Sequence, residues 1–168
     1  MQILAIDPGN IESGWVIFDT GYHKVSGPAF KIIDLGKCHN EDLIDKLTYD
    51  FYNNQILVME EMVAYGKCGR EVTDTSFWAG RMCQASSAEF GLITRSKVRG
   101  HFKTRTDAGI IEKLIERFCP ELYVRFGSKE LSRPKLINAA RDEYFKNFKS
   151  DIWQAFALGV CWYDLNVH

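Results

Sequence analysis

Apolar residues run without alternation from Ile3 to Ile6 and stop at Asp7-Pro8-Gly9. An unbroken apolar run of this length predicts a strand covered on both faces, and the Pro-Gly pair predicts a turn at its end. A second run, 14–19, is close enough to fold back as an antiparallel neighbour, and a third at 29–35 extends the meander. Residues 40–53 follow a helical pattern, with Asn40 as N-cap, Glu41 and Asp42 in the first turn, and Leu43, Ile44, Leu47 and Phe51 on one face. The continuous run 55–59 predicts a strand parallel to the first, reached by a crossover, and it too ends in acid, Glu60-Glu61. Residues 62–74 lack periodicity and read as a loop. Helix is expected over 75–90, with Phe77, Trp78, Met82 and Ala85 as apolar anchors and Gly91 at its end, and a fifth strand over 92–98. Further helices are expected over 106–118, stopped by Cys119-Pro120, over 133–148 from Arg133-Pro134, and from Ser150 to about residue 164, capped by Ser150 or Asp151.

This order predicts an α/β fold: a five-stranded mixed sheet, three antiparallel strands followed by parallel ones, flanked by helices. With 168 residues, no repeat and no linker-like stretch, the chain is expected to form one domain over 1–168. Its 46% hydrophobic and 26% charged residues exclude a disordered chain, and no apolar stretch is long enough to cross a bilayer. A cytoplasmic protein is expected, in the host cytoplasm if the chain is viral. The five cysteines, Cys38, Cys68, Cys83, Cys119 and Cys161, contain no CxxC pair, which points away from zinc and from a disulfide framework.

Net charge is −1, so overall basicity announces no nucleic acid. The distribution changes that picture. Residues 95–105 carry Arg95, Lys97, Arg99, Lys103 and Arg105 without an acid, whereas residues 41–61 are acidic. This local asymmetry suits either a phosphate-binding face or a solvated basic strand edge.

Three carboxylates have comparable positions. Asp7 ends the central strand, Glu60 ends its parallel neighbour, and Asp151 opens the last helix. Taken singly, they read as a turn residue, an exposed strand-end charge and a helix cap. Taken together, they would repel one another unless a cation lay between them. A hard divalent ion such as Mg²⁺ accepts a few carboxylates and retains water, and paired ions of this kind support in-line phosphodiester hydrolysis.

The stretch Ile3-Leu4-Ala5-Ile6-Asp7-Pro8-Gly9 with Ser13-Gly14-Trp15, then Val58-Met59-Glu60-Glu61, then Asp151-Ile152-Trp153-Gln154-Ala155-Phe156-Ala157-Leu158-Gly159 resembles, in order and rough spacing, the three acidic motifs of the RuvC family of Holliday-junction resolvases. The resemblance implies a ribonuclease H-like fold, a homodimer, and cleavage of branched DNA with Mg²⁺ or Mn²⁺. It assigns Asp7, Glu60 and Asp151 as metal ligands and catalytic residues. Gln154 stands where the family has a further metal-binding residue, one turn after the acid, and is carried as the fourth catalytic position. The family's aromatic probe after the second acid has Tyr65 as its nearest counterpart, which favours a looser, phage-type member acting on four-way junctions, forks and flaps. Tyr65, Lys67, Arg70, Lys97, Arg99, His101, Lys103 and Arg105 are the expected DNA contacts, and the dimer interface is expected within residues 76–90. Two other readings compete. The Asp-x-Gly opening is also similar to that of actin-like ATPases, which need two such domains. Gln154 in place of an acid would also suit a module that binds branched DNA but cuts it weakly or not at all.

Overall fold

The computed structural model describes residues 1–21, 30–49, 55–63, 66 and 68–167. Five strands form one sheet in the order β3-β2-β1-β4-β5. They are β1 (Gln2–Asp7), β2 (Glu12–Asp19), β3 (Lys31–His39), β4 (Gln55–Glu61) and β5 (Phe90–Thr94). The first three are antiparallel, and β4 and β5 run parallel to β1, so the carboxyl ends of β1, β4 and β5 share one rim. The expected mixed sheet is present.

Because strand side chains alternate between faces, each strand feeds two cores. Leu4, Ile6, Trp15, Ile17, Leu57 and Met59 point to a face covered by α1 (Asn40–Tyr49) and α2 (Arg70–Ala85), through Leu43, Leu47 and Met82. Ile3, Ala5, Val16, Phe18, Val58 and Ile93 point to the other face, which carries the larger core. That core is built on α7 (Ser150–Asn166), in which every residue from Ile152 to Cys161 is buried. A helix apolar all round must be covered on both sides. Here the sheet lies on one side, and α3 (Arg95–His101), α4 (Asp107–Phe118), α5 (Pro120–Gly127) and α6 (Arg133–Asp142) complete the larger core. A Cβ on Gly159 would lie 2.6 Å from the Phe18 ring and 3.0 Å from the Ala5 Cβ, so a side chain there would push α7 off the sheet. No helix among the described residues is long and apolar enough to cross a membrane.

Several boundaries differ from the pattern-based expectations. The fifth strand does not run over 92–98. It ends at Thr94, whose hydroxyl accepts from the Lys97 N–H and caps α3. The basic stretch is therefore a helix followed by a turn, not a strand edge. The β-branched Ile93, Thr94 and Val98 suit a strand, but a capping threonine competes with the ladder. α2 begins at Arg70 inside the expected loop and ends at Ala85, not at residue 90. Gly91 lies in β5 rather than ending a helix, and the Trp162 indole occupies the space a side chain there would need.

Cys119-Pro120 stops α4 as expected, but Pro120 also opens α5, since proline suits the first helical turn. α6 ends at Asp142 rather than 148, and Phe145 and Phe148 turn inward against Trp153, at ring distances of 4.3 and 4.9 Å. β3 continues to His39, and α1 ends at Tyr49. The expected continuation of α1 through Phe51 lies outside the described residues. Asn40 is the first residue of α1, and its side chain serves the turn after β1 instead of capping its own helix.

Candidate active site

The rim is assembled by strand parity. Asp7 continues the row of Ile3 and Ala5, Glu60 continues that of Val58, and Arg95 lies two residues beyond Ile93. All three therefore extend the face covered by α7, just past the point where its apolar packing ends. Across the sheet, Lys37 pairs with Gly14 and Gly14 with Asp7. Gly14 leaves room for the first turn of α7. A Cβ there would stand 2.6 Å from the Asp151 Cβ and 2.7 Å from its carbonyl carbon. The glycine thus lets Asp151 and Gln154 descend beside Asp7.

The turn after β1 is held from below. The Asn40 side-chain N–H donates to the Gly9 carbonyl at 2.9 Å, and Ser13 Oγ donates to Asn40 Oδ1 at 2.6 Å while accepting from the Gly9 N–H at 3.2 Å. Ser13 and Asn40 are both buried, so this small network fixes where β1 releases Asp7.

Two cations meet the three acids. Arg95 Nη2 lies 3.0 Å from Asp7 Oδ1 and 2.6 Å from Glu60 Oε2, while its Nη1 donates to Gln154 Oε1 at 2.5 Å. Lys37 Nζ lies 2.7 Å from Asp151 Oδ2 and 3.2 Å from Glu12 Oε2. Burial is the largest influence on Asp7 and raises its pKa from the ordinary 3.8 to about 7; Arg95 opposes the rise, and the charges of Glu60 and Asp151 add to it. At Asp151, burial acts upward but hydrogen bonds from Lys37 and Ser150 outweigh it and hold the carboxyl below its ordinary value. Asp151 lies within the first turn of α7, not at its cap, which is Lys149.

The four expected catalytic positions are thus grouped: Asp7, Glu60 and Gln154 share one guanidinium, and Asp151 lies against Gly14, the cross-strand partner of Asp7. Among the described residues no three His, Cys, Asp or Glu side chains are arranged to hold a metal ion. The donor set nevertheless fits a hard cation in kind. Oxygens of Asp7 and Glu60 already converge on one cationic nitrogen, and two carboxylates completed by water suit Mg²⁺.

Of the expected DNA contacts, Arg99, Lys103 and Arg105 line a cavity of about 790 Å³ with Arg95, Ser96, Gly100 and Thr104. Lys103 has a left-handed backbone, φ 51°, in the turn that ends α3 and points the chain toward α4. Lys97 is exposed on α3 outside that lining, and Arg70 lies 3.5 Å from Asp74 at the start of α2. His101 is engaged elsewhere: its Nε2 lies 3.0 Å from Asp164, which also pairs with Arg117. Tyr65 and Lys67 lie outside the described residues. On α2, Phe77 is exposed and Arg81 lies over Trp78 at 4.8 Å.

Sequence reasoning missed Arg95 and Lys37 as members of the site. A signal for Arg95 was present: ending the fifth strand at Thr94 would have set it at the same rim as Asp7 and Glu60.

A central strand with antiparallel neighbours on one side and parallel ones on the other, acids at its carboxyl end and a buried helix across one face define the ribonuclease H-like fold of the RuvC type. Thermus thermophilus RuvC in complex with Holliday junction substrate superposes with a TM-score of 0.59 at 12% identity, covering 98% of this chain and 96% of the other. A second Thermus thermophilus RuvC structure gives 0.61 at 11% identity over the same shares. The complex of fowlpox virus resolvase with substrate Holliday junction DNA gives 0.51 at 16% identity, covering all of both chains. At these identities the likeness establishes the fold. No family model and no curated sequence matches the chain.

Proposed function

We propose that the chain is a metal-dependent, structure-specific endonuclease that hydrolyses phosphodiesters in four-way junctions and related branched DNA. The observation that carries this reading is the gathering of Asp7, Glu60 and Gln154 at the carboxyl rim of β1 and β4, beside Asp151 and a cavity whose charged residues are all basic. The complexes of two similarly folded proteins with Holliday junction DNA support the substrate class.

In this reading Asp7 and Glu60 hold Mg²⁺ or Mn²⁺, with Asp151 completing the donor set. A bound ion would supply an activated water and stabilise charge on the leaving oxygen. Asp7 and Glu60 would fix that ion's position relative to the sheet, and the buried Ser13–Asn40 network keeps Asp7 in place. Arg99, Lys103 and Arg105 hold neighbouring phosphates, which positions DNA without reading its sequence. The exposed Phe77 and its neighbours on α2 offer the surface for a homodimer, so that two sites face opposite strands of one junction. In this reading the enzyme accepts junctions, forks and flaps, as a phage-type member would, and acts in its host's cytoplasm.

A second reading is favoured by one observation: cations already neutralise all three acids, Arg95 at Asp7 and Glu60 and Lys37 at Asp151. On that basis the chain grips branched DNA and cuts weakly or not at all. Incubating a labelled four-way junction and a matched linear duplex with Mg²⁺ separates the readings. The nuclease reading requires junction cutting that Asp7→Asn and Glu60→Gln both abolish while binding persists. Tight junction binding without cutting in Mg²⁺ or Mn²⁺ establishes the second reading, and cutting that survives Asp7→Asn refutes the assignment of the site.

A further inference from the structure

Arg95 stands between two chemistries. Its guanidinium donates to Asp7, Glu60 and Gln154 on one side. It also lines the cavity whose other charged residues are Arg99, Lys103 and Arg105. Guanidinium stays protonated in proteins and offers only donors, so it can face carboxylates or phosphates but cannot share carboxylate oxygens with a metal ion without repulsion. The point where Asp7 and Glu60 oxygens converge is now held by its Nη2. A divalent ion using those oxygens has to displace it.

The surroundings allow the displacement. Arg95 is the first residue of α3, and the helix itself is anchored by buried Val98 and, at its last residue, by His101 against Asp164. The side chain can therefore turn from rim to cavity while the helix stays in place. Gln154 fits such a movable contact: its amide oxygen orients the guanidinium, whereas a carboxylate at that position would add a third charged partner and hold it more firmly.

We propose that Arg95 gates the metal site. In DNA-free protein it acts as the counter-ion of Asp7 and Glu60 and competes with the divalent ion. A backbone phosphate entering the cavity draws the guanidinium away, so metal and branched DNA bind cooperatively. This inference rests on the metal site proposed above, and coupling of this kind is reciprocal.

The test measures protein-bound Mn²⁺ by the loss of the free-ion electron paramagnetic resonance signal, with and without a four-way junction carrying non-hydrolysable linkages, the loss caused by the junction alone being subtracted. Wild type and Arg95→Met, which keeps an unbranched stem and loses the charge, are compared. Arg95→Met binds Mn²⁺ at least about tenfold tighter than wild type without DNA, as expected when a unit positive charge is removed beside a divalent ion. Junction DNA tightens Mn²⁺ binding to wild type by a similar factor and to the variant far less. Equal Mn²⁺ affinity in the two proteins overturns the gate, and so does equal tightening by DNA. Should Arg95→Met fail to fold, wild type alone decides: no change in Mn²⁺ affinity on adding junction refutes the proposal. Absence of Mn²⁺ binding in every condition is a different result, which removes the metal site itself.

Discussion

Asp7 should destabilise the metal-free fold at neutral pH, and replacing it with asparagine should reveal by how much. Its carboxyl rises from 3.8 to about 7 on folding because burial outweighs the pairing with Arg95. Well below the ordinary value the group is protonated in both folded and unfolded chains and carries no penalty. As pH rises from the ordinary value toward the folded one, the unfolded chain releases the proton while the folded chain keeps it, so stability falls by about 1.4 kcal/mol per pH unit from this group. Above the folded value the difference is complete, at about 4 kcal/mol. The asparagine side chain mimics the neutral acid and avoids the penalty. In EDTA, Asp7→Asn should therefore unfold at a higher temperature than wild type at about pH 8, by roughly 10 °C for a domain of this size, and the two should converge near about pH 4. Thermal unfolding followed by circular dichroism across that range measures the gap. A variant less stable than wild type at the alkaline end, or a gap that does not change with pH, refutes the account of Asp7 as an acid strained by burial.

The scaffold and the basic cavity are open to equally direct checks. Gly14→Ala drives a methyl group against the Asp151 backbone; a loss of roughly 1–3 kcal/mol in urea unfolding is expected, with junction cutting reduced further than stability alone explains. Asn40→Ala leaves the Gly9 carbonyl and the buried Ser13 hydroxyl without their partner; an unchanged urea midpoint would contradict the expected cost of about 1–3 kcal/mol. Arg99→Ala and Lys103→Ala should each lower the slope of log affinity against log salt for junction DNA by about one, whatever the sequence of the arms.

The three acids were legible because each stands at one end of a strongly apolar element: Asp7 after Ile3–Ile6, Glu60 after 55–59, and Asp151 at the head of the longest buried run. The mixed sheet followed from the same runs and from the length between them. The cations that meet those acids were hidden for two physical reasons. Lys37 lies on β3, where polar and apolar residues do not alternate cleanly, so its strand was expected to end before it. Arg95 follows a threonine whose hydroxyl can serve a ladder or a helix cap, and the local pattern does not decide between them. The hydroxyl of Ser13 and the amide of Asn40 were invisible for another reason: Ser13 finds its partner 27 residues along the chain at Asn40, and Asn40 finds its own 31 residues back at Gly9. α5 was missed because a proline that ends one helix can begin the next.

The alternation that brings Asp7, Glu60 and Arg95 onto one face also governs which insertions and deletions this chain can survive during evolution. Lengthening a strand by one residue turns everything beyond it to the opposite side of the sheet. Deleting a residue within β1 would bring Pro8 into the place of Asp7, and deleting one within β5 would bring Ser96 into that of Arg95. Within β4 the same deletion delivers Glu61 into the place of Glu60. The acidic doublet gives that strand an understudy which the other two lack. Length changes in descendants of this sequence should therefore be excluded from β1 and β5 and tolerated first in β4.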